Sequence, residues 1–210
     1  MFTGIIETMA TVQSVRKTKS GRQLDILVQK FLKDMQDGSS VAIDGVCLTV
    51  TGKTQTTFRV DVVEETLSKT TLSSFAEGRQ VNLEKPLLFT DRFDGHFVQG
   101  HIDGTAEIVR YEKSEENVLF SVKLPKNLLM GIIKKGSVSI DGISLTVADL
   151  CGDELTVALI PYTLQVTTMG MKMPGDKVNI ETDVIGKYVA RYFNPPFRDE
   201  NTVPFPATHT

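Results

Sequence analysis

Cysteine is scarce in this chain. Cys47 and Cys151 are the two present, and neither stands in a CxxC or other metal-ligand spacing. Two thiols so far apart make no disulfide framework, so a reducing compartment, the cytoplasm, is expected. Runs of like charge are also missing. The net charge is −3 with acidic and basic residues dispersed, which argues against nucleic acid or an anionic membrane as a partner. No apolar stretch is long enough to span a bilayer. The opening Met1-Phe2-Thr3-Gly4-Ile5-Ile6-Glu7 lacks the basic region and apolar core of a signal peptide. There is no P-loop, no dinucleotide GxGxxG and no kinase signature, and Gly100 to Gly104 precedes no helical pattern that would cradle a phosphate. Spacing alone reveals no Ser-His-Asp set. His96 and His101, without a third ligand nearby, are no zinc site.

What the chain does have is a repeat. Asp44-Gly45-Val46-Cys47-Leu48-Thr49-Val50 returns ninety-seven residues later as Asp141-Gly142-Ile143-Ser144-Leu145-Thr146-Val147, identical at five of seven positions. At the same offset Glu65 to Leu72 is answered by Tyr162 to Met169, and Gly78 to Glu84 by Gly175 to Glu181. Two copies of about a hundred residues mean a duplicated domain rather than a solenoid of many short units.

Within each copy the apolar residues alternate in short runs. Thr11 to Val15, Leu24 to Val28, Val41 to Ile43, Cys47 to Val50, Phe58 to Val63 and Val81 to Glu84 read as strands. Asp44-Gly45 is a hairpin turn. The second copy repeats the order from Ala106 to Glu181, with a polar turn at Ser114 to Asn117. Lys30 to Met35 predicts one or two helical turns, and Pro125 to Ile133 carries apolar residues at helical spacing. Many short strands and few helices predict a closed or nearly closed antiparallel barrel in each half. From Val184 the period changes: Val184, Ile185, Tyr188, Val189 and Tyr192 make a one-sided helix. That helix serves either assembly or packing on its own barrel. The division is thus 1–96, 97–183, a helix over 184–194 and a loose tail over 195–210.

Two constellations carry candidate chemistry. Gly95-His96-Phe97-Val98-Gln99-Gly100-His101-Ile102-Asp103-Gly104 lies at the joint of the halves. Aligned on the opening of the first copy, His101 replaces Ile5, so duplication supplies two similar pockets of which one can move protons near neutral pH. The plainer reading makes both histidines hydrogen-bonding groups of a domain joint. Cys47 and Ser144 form the second constellation, each pointing the same way as Thr49 or Thr146. A thiol or hydroxyl, a threonine and free strand-edge amides suit a ring bearing alternating donors and acceptors. Cys47 is otherwise a small buried apolar residue. Lys135, Asp141 and Asp183 are further charged candidates, each also readable as a surface charge.

In order, Met1 to Ile6, the duplicated DG-x-x-LTV, Gly95-His96-x-x-x-Gly100-His101-Ile102-Asp103-Gly104 and the paired TL-x-x-TT segments resemble riboflavin synthase of the alpha-chain type, a duplicated lumazine-binding family. The resemblance covers Met1 to about Asn194. It implies an all-β fold of two tandem Greek-key barrels with a short C-terminal α-helix. It also implies a homotrimer whose active sites lie between the N-terminal barrel of one subunit and the C-terminal barrel of the next. The implied reaction needs no cofactor. Two molecules of 6,7-dimethyl-8-ribityllumazine yield riboflavin and 5-amino-6-(ribitylamino)uracil by transfer of a four-carbon unit, the last step of riboflavin biosynthesis. Association with lumazine synthase is left open.

Carried over by position, the N-terminal site takes Gly4, Ile5, Ile6, Cys47, Leu48, Thr49, Asp61, Val62, Val63, Glu64, Glu65 and Thr66. The C-terminal site takes Gly100, His101, Ile102, Lys135, Ser144, Leu145, Thr146, Ala158, Leu159, Ile160, Pro161, Tyr162 and Thr163. The resemblance casts His101 and Ser144 in the deprotonation of the C7 methyl or in addition at C7. Phe2 and Cys47 shape the pocket, and Lys135 and Asp183 complete the catalytic set. Lumazine proteins of light-emitting bacteria resemble the same family but hold lumazine or flavin as an antenna. A duplicated flavin-binding barrel that only docks to other proteins is the blander alternative.

Overall fold

The computed structural model describes residues 1–113 and 117–193. Most of the polar turn expected at Ser114 to Asn117, and the tail expected over 195–210, lie outside the described residues. Alternating apolar residues make β1 (Thr8–Lys17), β2 (Gly21–Leu27), β3 (Ser40–Ile43), β4 (Val46–Lys53), β5 (Thr57–Val63) and β6 (Gln80–Glu84) in the first half. The second half builds β7 (Gly104–Lys113), β8 (Val118–Lys123), β9 (Ser137–Ile140), β10 (Ile143–Cys151), β11 (Glu154–Leu159) and β12 (Lys177–Thr182). Each set closes into an antiparallel barrel, in the order β1-β2-β5-β4-β3-β6 and β7-β8-β11-β10-β9-β12. Three consecutive hairpin strands, with the next strand returning beside the first of them, make this a Greek key. The fold is all-β in tandem.

Both barrels bend at matching places. The register slips between Val12 and Ser14 and between Val50 and Gly52 in the first barrel, and between Ile108 and Arg110 and between Val147 and Asp149 in the second. Such bulges sharpen the local twist that lets a six-stranded sheet close. Leu24, Ile26, Val60 and Leu83 fill one barrel, and Phe120, Val122, Leu155 and Ile180 fill the other. Each such side chain contributes about 1.5–3 kcal/mol by leaving water.

Helices are minor. α1 (Glu64–Lys69) and α2 (Pro161–Val166) follow β5 and β11, each succeeded by a 3₁₀ turn, Thr71–Ser74 and Thr168–Met171. Six residues are too few for a helix to announce itself by period, and neither carries a side-chain cap. The helical turns expected at Lys30 to Met35 do not form. Lys30 takes φ +64° and the segment is a plain turn that tucks Phe31, Leu32 and Met35 under the barrel. Its counterpart is a 3₁₀ helix, Lys126–Gly131. The terminal helix is α3 (Val184–Phe193).

The barrels meet through paired contacts that exchange partners, as an isologous interface does. Asn82 donates its side-chain amide to the Asp141 carbonyl at 2.9 Å, and Asn179 donates to the Asp44 carbonyl at 2.8 Å. The two Asp-Gly turns touch there. A β-carbon on Gly45 would sit 2.6 Å from the Gly142 amide, and both glycines hold positive φ.

Candidate active site

The opening segments of the two halves are built alike and exchanged. Glu84, on the last strand of the first barrel, accepts from the Thr3 amide at 2.6 Å and the Gly4 amide at 3.0 Å. Glu181, its counterpart, accepts from Gln99 at 2.8 Å and Gly100 at 2.9 Å. Burial pushes both carboxyls above the usual range although these hydrogen bonds pull the other way. The segment then reaches across. The Ser144 amide donates to the Gly4 carbonyl at 2.8 Å, and the Cys47 amide to the Gly100 carbonyl at 3.0 Å. Ile6 packs on the second core and Ile102 on the first.

This regroups the residues expected from the sequence. Gly4, Ile5 and Ile6 stand with Ser144, Leu145 and Thr146, while Gly100, His101 and Ile102 stand with Cys47, Leu48 and Thr49. The strand-edge amides expected to be free at Cys47 and Ser144 are taken by this crossing. Glycine is required at the crossings. Gly4 has φ +77° and a β-carbon there would lie 2.7 Å from the Ser144 amide, while Gly100 has φ +80° and 2.8 Å to the Cys47 amide.

Strand register completes each depression. Val50 opposite Val60 lays Cys47 to Thr49 along Asp61, Val62 and Val63. Val147 opposite Val157 lays Ser144 to Thr146 along Ala158, Leu159 and Ile160. Leu48, Val62 and Leu159 point into the cores and offer the depressions only backbone. Val63, Ile160 and Tyr162 are exposed at the rims, with Ile5. Glu64 and Glu65 open α1 and Pro161 opens α2. Thr66 and Thr163 use their carbonyls to hold the Thr70 and Thr167 hydroxyls at 2.7 and 2.6 Å. Asp61 accepts from Gln23 at 2.8 Å. Lys135, at φ +68°, donates its amide to the Val147 carbonyl at 2.9 Å and stays exposed at the edge of the second depression. Beside the opening segment a cleft of about 460 Å³ is lined by Thr3, Ile5, Ser40 and Glu84.

The reactive groups of the two depressions differ. Ser144 Oγ lies 2.7 Å from His96 Nδ1. His96 is only 7% exposed, its amide donates to the Thr3 carbonyl at 3.1 Å, and its Nε2 is buried without a partner. Burial holds its pKa below the ordinary histidine value, and the nearby Asp183 carboxylate opposes that shift. Asp183 itself is fixed as the cap of α3, its Oδ1 accepting from the Ile185 amide at 2.9 Å. On the other barrel Cys47 is half-buried, its thiol raised by desolvation. Phe2 is wholly buried against Ala42, Val98 and Cys47, so it acts on the depression by packing. His101 is exposed and follows Gly100, beside Cys47; within one chain it is not Ser144's partner. Among the described residues no three His, Cys, Asp or Glu side chains are placed to hold a metal, and no helix is long and apolar enough to cross a membrane.

The contact of His96 with Ser144 and the anchoring by Glu84 and Glu181 are not evident from the chain read linearly. Only the repeat carries a trace of the second: a glutamate stands near the end of β6 and of β12 at matching positions, Glu84 and Glu181.

The lumazine binding domain family model matches residues 3–86 and again 99–183. Riboflavin synthase of Bacillus subtilis (strain 168) is 44% identical over 194 residues, covering 92% of this chain and 90% of that protein. Riboflavin synthase of Actinobacillus pleuropneumoniae is 40% identical over 200 residues, covering 95% and 93%. Among solved structures, LumP complexed with riboflavin superposes with TM-score 0.81 at 24% identity, covering 87% of this chain and 99% of that one. LumP complexed with 6,7-dimethyl-8-(1'-D-ribityl) lumazine gives 0.79 at 23%. At these identities the LumP structures show the fold.

Proposed function

Since the chain belongs to the riboflavin synthases, transferase-type enzymes built on a duplicated lumazine-binding domain, we propose that it converts two molecules of 6,7-dimethyl-8-ribityllumazine to riboflavin and 5-amino-6-(ribitylamino)uracil. One molecule lies on each type of depression, and a four-carbon unit passes from one to the other. The observation that carries this reading is the pair of like-built depressions whose reactive positions have diverged, Ser144 with His96 on one barrel and Cys47 on the other. Two identical molecules with different fates need such a pair. The working enzyme is a cytoplasmic homotrimer in this reading. Its reaction centre forms where the N-terminal depression of one subunit closes on the C-terminal depression of its neighbour. The exposed apolar rims at Val63, Ile160 and Tyr162, and the uncovered face of α3, support that arrangement. Holding two rings face to face accounts for much of the rate enhancement, since proximity supplies up to roughly 7–11 kcal/mol.

Thr49 and Thr146, with backbone of the crossed segments, orient the rings. Gly4 and Gly100 let that backbone approach.

The test is incubation of the full chain with purified dimethylribityllumazine and no added cofactor, following flavin absorbance. One riboflavin for every two lumazines consumed is expected. Tight retention of lumazine with no flavin formed would instead favour an antenna protein.

A further inference from the structure

We propose that Glu84 and Glu181 are crossed positioning residues. The carboxylate on the first barrel sets how tightly the C-terminal depression holds its ligand, and the carboxylate on the second barrel does the same for the N-terminal depression. This control rests on the two-depression reading above, which it deepens by naming what aligns each one.

Gly4 is held on either side of its α-carbon by different barrels. Its amide donates to Glu84 Oε2 at 3.0 Å, from the first barrel, and its carbonyl accepts from the Ser144 amide at 2.8 Å, from the second. Gly100 is held in the same way with the barrels exchanged. Its amide donates to Glu181 Oε2 at 2.9 Å, and its carbonyl accepts from the Cys47 amide at 3.0 Å. The next residue, Ile5 or His101, is exposed at the depression. The one after it, Ile6 or Ile102, packs on the opposite core. Turning either glycine peptide therefore moves the exposed residue and loosens the strand that carries Ser144 or Cys47.

The two carboxylates are shaped for this task. They are 4% and 1% exposed, so neither touches a bound ring and each acts through its segment. Glu84 Oε1 accepts from the Thr3 amide at 2.6 Å and the Thr3 hydroxyl at 2.8 Å while Oε2 takes Gly4. The same hydroxyl accepts from the Ile5 amide at 3.2 Å, which ties the exposed residue itself to the latch. Glu181 divides its oxygens between Gln99, at 2.8 Å, and Gly100. An ionised carboxylate only accepts, so it suits two amides that both face it; a group carrying its own N–H can match one of them.

The strands add a second grip in the same crossed sense. Asn82, two residues before Glu84 on β6, donates to the Asp141 carbonyl at 2.9 Å, and Asp141 opens the turn into β10. Strand β6 thus holds the reactive strand of the other barrel at its turn and, through Gly4, at Ser144. On β12, Asn179 donates to the Asp44 carbonyl at 2.8 Å while Glu181 works through Gly100 on Cys47. The backbone of Glu84 stays in the ladder of its own barrel, opposite Ala42. Its carboxylate serves the other one.

The test is a riboflavin titration of the full chain, following the backbone amide resonances of Thr49 for the N-terminal depression and Thr146 for the C-terminal one. Glu84→Gln leaves the ladder intact but sets an N–H against an N–H. It should weaken the binding reported by Thr146 by about tenfold or more, with Thr49 changed by less than about threefold. Glu181→Gln should do the reverse. The crossed control is overturned if either substitution weakens the depression of its own barrel instead, weakens both alike, or leaves both unchanged. Should a Gln variant fail to fold, Glu84→Asp or Glu181→Asp, which keeps the charge but is too short to reach both amides, is read in the same way. Failure of all four to fold would make the carboxylates purely structural and overturn it as well. An unaltered chain that binds riboflavin at neither threonine removes the two-depression reading and the control with it. One that binds at both but forms no flavin from lumazine overturns the transferase reading alone.

Discussion

Asp44 and Asp141 show how much one residue type does at one place. Both take positive φ, +43° and +45°, in their Asp-Gly turns, a backbone that aspartate tolerates better than most side chains. Each carboxylate also accepts the amide of Asn82 or Asn179 at 2.7 Å. Both are fully buried, which the turn signal alone does not foretell. Lys172 sits 2.7 Å from Asp141, while Arg79 is 3.9 Å from Asp44. Burial, and then the charge of Asp141, push Asp44 up to about 7. Lys172 is raised in spite of its own desolvation, because the two aspartates outweigh that cost, so it stays cationic. An acid whose folded pKa lies above its unfolded value stabilises the fold while protonated. Its contribution is complete below about pH 4 and is lost as pH climbs through about 7. Glu84 and Glu181 are shifted in the same direction. Thermal denaturation of the unaltered chain should therefore show stability falling between about pH 4 and 7. Asp44→Asn imitates the protonated acid. It should flatten that fall and exceed the parent at pH 8 by on the order of 2 kcal/mol; parallel curves for the two proteins would contradict the assignment.

Among the elements, α3 and the crossed opening segments carry the most consequence. α3 is tied to its own barrel at one end, by the Asp183 cap and by Lys187 to Asp103 at 2.8 Å. Gly186 allows close approach to the 3₁₀ helix at Gly131. No residue of it is buried, and Ile185, Tyr188, Val189, Tyr192 and Phe193 face outward. Such a helix contributes little to the core of one chain. If α3 holds the proposed trimer together, deleting everything from Val184 onward should lower the molecular mass by light scattering to that of a monomer while leaving far-UV circular dichroism of the barrels in place. An unchanged molecular mass would remove the assembly role. The period of the apolar residues makes this helix legible in the sequence. The six-residue α1 and α2 are not legible there, because they depend on the strand ends they pack against, Leu67 under the first barrel being the buried example.

At the scale of the whole molecule, two barrels share one polar seam. Asn82 also accepts from the Thr168 amide, and Asn179 from the Thr71 amide, each at 2.8 Å. Replacing either asparagine with alanine strands a buried amide and a buried carbonyl on the other barrel. Urea unfolding of Asn82→Ala and of Asn179→Ala should each show a loss of about 2–4 kcal/mol. The two losses should be similar because the contacts are reciprocal; a loss at one site only would break the symmetry argument.

The duplication, the strands, their turns and the barrel class were legible in the chain because they rest on local chemistry. Period-two alternation and Asp-Gly turns act over a few residues, and a repeat makes each signal appear twice. The family was legible for the same reason, from motifs that stay contiguous. The exchange of Gly4 and Gly100 between barrels was not, nor the meeting of Ser144 and His96. Those depend on which face of one half seals against the other, and that is decided only when Glu84, Glu181, Asn82 and Asn179 find partners far away along the chain. Residues brought together by that seal carry no spacing signal, so only the folded molecule could place them.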